Sequence, residues 1–159
     1  PNVIYLQDHL DSALGAGATR VILPITDPYV AHHGALGGFA RIYCLDGTLP
    51  ETVIESVRAI PGIEKVYDRD GVCEAFGLPP DIEGDVAVIS DAGTVVGASE
   101  SGHDLSQLRG QRRRSHGGIS ERRVPFIISE PLNETYAARA TSGGLRNFDI
   151  FDFAVNGTV

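Results

Sequence analysis

The chain has 159 residues, 42% of them hydrophobic and 21% charged, with mean hydropathy near zero. That is enough for a compact domain with a real core, and it excludes a disordered chain. A net charge of −8 and a pI of about 5.0 argue against a general nucleic-acid binder, whose phosphate contacts need a basic surface.

No apolar run approaches the roughly 20 residues that span a bilayer, and no basic segment leads into an apolar one as in a secretory signal. The expected location is therefore the cytoplasm, with no membrane partner. Cys44 and Cys73 are the only cysteines and are expected as free, buried thiols. The chain has no Met and begins Pro1-Asn2-Val3, so it reads as part of a longer polypeptide.

Val3, Leu6, Leu10 and Leu14 recur at steps of three and four and predict an amphipathic helix, stopped by Gly15 and Gly17. Arg20 to Ile25 is a short apolar strand, ended or placed at an edge by Pro24. A turn follows at Asp27-Pro28. His32 to Gly38, HHGALGG, offers small residues where backbones can approach closely.

Phe39 to Leu45 predicts a strand broken by Asp46-Gly47. Pro50 suits the first turn of a helix whose apolar face is Val53, Ile54, Val57 and Ile60, closed by Pro61-Gly62. Ile63 to Tyr67 is a second strand, so residues 39–67 form an expected βαβ unit. Asp70 to Gly77 predicts a short helix, and Leu78-Pro79-Pro80 is irregular. Asp85 to Ser90 and Thr94 to Val96 flank Asp91-Ala92-Gly93 and predict a β-hairpin.

Gly97 to Gly118 reads as a long polar loop with Arg112, Arg113 and Arg114 at its centre. Val124 to Ser129 predicts an apolar strand, and Phe148 to Phe153 a closing helix or strand.

Five histidines carry the candidate chemistry. His32 and His33 are neighbours, and neighbours on a strand face opposite ways, so they are poorly placed to hold one metal together. His9 falls on the polar side of the first helix and is expected in solvent. His103-Asp104 could form an oriented base. His116 stands in Ser115-His116-Gly117-Gly118-Ile119, where two residues without side chains leave room for an ion and its other ligands. One imidazole is not a zinc site, because zinc takes about four ligands. Arg112 to Arg114 could draw in an anionic substrate, although a solvated charge run explains them as well. HHGALGG lacks the Gly-Lys-Ser/Thr of a phosphate-binding loop, and there is no GxGxxG.

Three stretches resemble the phosphonoacetate hydrolase family of the alkaline phosphatase superfamily. They are PNVIYLQ at residues 1–7, VILPITDPYVAHHGALG at 21–37 and RSHGGISERRVPFI at 114–127. The second is specific to this branch, and the HGG-with-VPF pattern is shared more widely.

The resemblance implies an α/β fold with an α+β cap: part of an alkaline-phosphatase-like core carrying a βαβ-containing cap. Residues 1–38 would belong to the core, 39–113 to the cap and 114–159 to the C-terminal part of the core. It also implies a two-zinc hydrolase that splits phosphonoacetate into acetate and phosphate, the leaving carbanion being stabilised by its neighbouring carboxylate.

Of the family's site residues only the late metal-ligand histidine has a match, His116. No catalytic residue is matched, and the Asp-His-Gly motif is absent, since Asp8-His9-Leu10 is not that motif. The expected partners are the small phosphonate, the missing N-terminal half of the core and a second copy in a homodimer. The chain alone is expected to be inactive. The alternatives are another phosphoesterase of the superfamily and a stand-alone, non-catalytic binding module.

Overall fold

A computed structural model describes residues 2–25, 36–103, 105 and 116–159. It divides into two units, Pro1–Arg122 and Arg123–Val159. The expectations placed on the Asp27-Pro28 turn, His32, His33, Asp104 and Arg112 to Arg114 lie outside the described residues.

The first unit begins with strand β1, Asn2–Tyr5, which passes into helix α1, Leu6–Leu14. The predicted helix therefore loses Val3 to a strand. The three-to-four spacing survives from Leu6, and Leu6 and Leu10 are fully buried. Gly15, at φ 98°, ends the helix in a backbone state that a side chain would strain.

Strands β2, Thr19–Ile22, and β3, Phe39–Cys44, follow, with helix α2, Pro50–Arg58, strand β4, Ile63–Asp68, and helix α3, Arg69–Phe76. Pro50 occupies the first turn of α2, as expected. Asp68 caps α3 by accepting the Gly71 N–H at 2.7 Å, and Gly77 closes it at φ 67°. Strands β5, Val86–Ser90, and β6, Thr94–Gly97, complete the unit.

Two sheets result. The larger runs β2-β3-β5-β4, each neighbouring pair antiparallel, and the smaller pairs β1 with β6 in parallel. The predicted βαβ unit is present in split form: β3 and β4 run parallel, but β5 lies between them. The predicted hairpin is overturned. A turn does form, with the Thr94 N–H on the Asp91 carbonyl at 3.2 Å, yet β5 and β6 then join different sheets. Both strands are mainly apolar and are buried on both faces. Such strands belong inside an assembly rather than in a two-stranded ribbon.

The larger sheet has two unlike faces, set by alternation along β3. Ala40 and Ile42 pair with Val88 and Val86 and join Leu10, Val53 and Val57 of α1 and α2 in the main core. Phe39 and Arg41 pair with Ile89 and Ala87 on the other face. Arg41 binds the carboxylate of the buried Glu83 and stacks over the Phe39 ring.

Cys44 and Cys73 are free but half-buried, not fully buried as expected. His9 is a second correction. It is half-buried rather than fully in solvent, and its Nε2, 3.2 Å from the Ser56 carbonyl, ties α1 to α2.

The second unit holds helices α4, Glu134–Ser142, and α5, Asp149–Asn156. Helix α5 meets the expectation for Phe148 to Phe153, whereas α4 was not foreseen. Phe153 sits edge-on to Phe126 and Tyr136, with centroids at 5.1 and 5.0 Å. Arg139 bridges Asp149 and Asp152 at 2.8 and 2.6 Å. The expected strand at Val124 to Ser129 does not form. A strand needs a ladder partner, and this stretch has none among the described residues; Val124 and Ile127 are instead exposed. Among the described residues no helix is long and apolar enough to cross a membrane.

Candidate functional site

The site is built where two glycines, Gly37 and Gly38, run between three pieces of backbone. Gly37 exchanges hydrogen bonds with Val96 of β6: its N–H reaches the Val96 carbonyl at 3.3 Å and its carbonyl receives the Val96 N–H at 2.7 Å. The Gly38 carbonyl receives the Ser90 N–H at 2.9 Å, and the Gly38 N–H donates to the His116 carbonyl at 2.6 Å. The backbone of His116 is thereby pinned to the ends of β5 and β6.

The half-buried His116 ring lies directly on Gly37. A Cβ at position 37 would come within 2.9 Å of its Cε1 and 3.0 Å of its Nδ1, closer than real Cβ atoms approach other atoms. A Cβ at Gly38 would come 2.8 Å from the Gly118 nitrogen. The close backbone approach read from HHGALGG is thus realised at its last two residues. Gly117 and Gly118 have roles that differ from simple room for an ion. Gly117 adopts φ 84° against Phe39, and Gly118 fits under Gly38 while its N–H donates to Glu121 at 3.2 Å.

Gly117 and Gly118 also border a cavity of about 310 Å³ on the face of the larger sheet opposite the core. Phe39, Phe76, Leu78, Ile89 and Ile119 give it apolar walls, with Arg41, Glu121 and Arg122 at its polar positions.

The His103 ring lies on Gly97. Its Nε2 accepts the Ala98 N–H at 3.1 Å, which assigns the proton of the neutral ring to Nδ1, and that buried atom has no partner among the described residues. Burial pushes the imidazolium pKa down from its ordinary value, and the Tyr5 ring stacks on it at 6.2 Å. Asp104, the other half of the oriented-base reading, lies outside the described residues.

Burial, together with the charges of Glu100 and Asp8, raises the Tyr5 pKa. The Arg41–Glu83 pair and Gln7 are two features the sequence reading missed. Gln7 accepts the Val21 N–H at 2.8 Å and donates to the Thr19 carbonyl at 3.1 Å. Neither carries a local motif, since both depend on partners 12 to 42 positions away.

Among the described residues, no group of three or more His, Cys, Asp or Glu side chains gathers as a metal site. His116 presents one imidazole, held by its backbone against the Gly37 surface.

No family model matches the sequence. Two solved structures of phosphonoacetate hydrolase from Sinorhizobium meliloti 1021 match it, one in complex with phosphonoformate and one with phosphonoacetate. Each is 43% identical to this chain with a TM-score of 0.75. The match covers 100% of this chain, which spans 37% of the length of those enzymes. The fold is therefore that of the corresponding part of an alkaline-phosphatase-like hydrolase.

Proposed function

We propose that this chain, alike over its whole length to part of phosphonoacetate hydrolase, supplies the late metal-ligand histidine and the cap of a zinc-dependent hydrolase that cleaves the carbon–phosphorus bond of phosphonoacetate. The observation that carries this reading is the His116 ring held against Gly37 in a chain with that likeness. In the division proposed here, residues 1–38 and 114–159 serve the core and 39–113 the cap. The remaining ligands and the nucleophile come from polypeptide beyond the matched 37%.

His116 would hold one of two zinc ions. When bound, zinc neutralises the phosphonate and lowers the pKa of the attacking hydroxyl. This chain's own contributions are the fixed imidazole and the backbone that orients it. The paired glycines hold the ring in place before the metal arrives, so less order is lost on binding.

The test is a chimera in which this chain replaces the matching part of the Sinorhizobium meliloti enzyme. With zinc and phosphonoacetate it should release phosphate, and His116→Ala should abolish release by lowering zinc affinity. Undiminished release by the His116→Ala chimera would overturn the assignment. The 159-residue chain by itself should release no phosphate under the same conditions, and rapid release would refute its dependence on further ligands.

A further inference from the structure

The unit Arg123–Val159 has little interior of its own. Phe153 is the one buried hydrophobic side chain among its described residues. Helix α5 shows why. At about 100° per residue, Phe148, Phe151 and Val155 fall within roughly 60° of one another, on the side away from Phe153. Phe153 faces Tyr136 and Phe126, whereas Phe148, Phe151 and Val155 are 57%, 74% and 78% exposed. Val124 and Ile127 of the same unit are also exposed.

Apolar side chains grouped on one helical face mark a contact surface, and a unit of this size with one buried side chain lacks the burial to stand alone. The solved relatives match all of this chain and extend far beyond it, the match spanning 37% of their length. Polypeptide of that same enzyme is thus the occupant with an argument behind it.

We infer that the Phe148–Phe151–Val155 face of α5 is the surface on which the remainder of the phosphonoacetate hydrolase core packs. This deepens the functional reading above and rests on it for the identity of the partner.

The chimera described above tests both, with different readouts. Phe151→Glu and Phe148→Glu should each lower its melting temperature by several degrees. Ile82→Glu, at a residue 68% exposed in the other unit, should leave it unchanged. Equal melting temperatures for all three would overturn the inference. So would a concentration-dependent dimer of the 159-residue chain that Phe151→Glu dissolves while leaving the chimera's stability intact, since the occupant would then be a second copy. A folded chimera sensitive at Phe151 but silent on phosphonoacetate would uphold the surface and sink the proposed activity. Should the chimera not fold, amide exchange on the 159-residue chain decides. Fast exchange across residues 149–156 beside slow exchange across 86–90 supports a face awaiting its partner, and equal protection of the two overturns it.

Discussion

At Gly37 the absence of one carbon atom sets the position of the His116 ring. The ring's Nδ1–Cε1 edge occupies the space a Cβ would fill, and the His116 carbonyl is 3.0 Å from the same point. Gly37→Ala must push the ring, the backbone of residue 116, or both. In the chimera it should weaken zinc affinity about 10- to 100-fold, the usual effect of disturbing a group that orients a ligand. Equilibrium zinc titration checks this, and an unchanged affinity would show that the glycine surface does not position the ring.

His103 makes a prediction of opposite character, about stability rather than metal. Burial lowers its pKa in the folded state, so in the window between the lowered and the ordinary value the unfolded chain binds more protons. Its contribution is therefore fully present above the ordinary histidine pKa of about 6.5 and is lost as pH falls through the folded value. Urea midpoints at pH 8 and pH 5.5 should differ more for the native chain than for His103→Gln. Equal differences would mean that burial leaves this imidazole unperturbed.

At the scale of single elements, local chemistry explains what the sequence made readable. Pro50 and the Val53/Val57 spacing fixed α2, and Gly77 fixed the end of α3. Asp68, one residue before α3, carries its cap bond, so Asp68→Ala should cost about 1 kcal/mol of stability, measured by urea unfolding. A loss below about 0.3 kcal/mol would show that water replaces the carboxylate at no penalty.

The elements that misled depend on distant partners. Val3 fits a helical stripe, yet it pairs with Val95 at the other end of the unit. Val124 to Ser129 has the composition of a strand but no ladder to join among the described residues. Residues 86–97 have hairpin chemistry at Asp91-Ala92-Gly93, but burial on both faces sends the two arms to separate sheets. Helix α4 could have been found from Asn133, which accepts the Tyr136 N–H at 3.1 Å, followed by Glu134 in the first turn.

For the whole molecule, the same contrast locates the stability. The candidate site was partly legible: His116 and the small residues ending at Gly38 stand out as residue types, but the hydrogen bond joining them spans 78 positions and has no sequence signature. The main core lies in the first unit, where Ile42 of β3 is fully buried among α1, α2 and the neighbouring strands. Ile42→Ala should cost about 2–5 kcal/mol, the range for deleting a buried aliphatic group that leaves a cavity. Ile127, which is 78% exposed, loses little when truncated, and Ile127→Ala should stay within about 0.5 kcal/mol. Urea unfolding of the 159-residue chain followed by circular dichroism measures both. Similar losses for the two would mean that Ile127 is buried in solution, and that the second unit already has the interior its exposed side chains deny it.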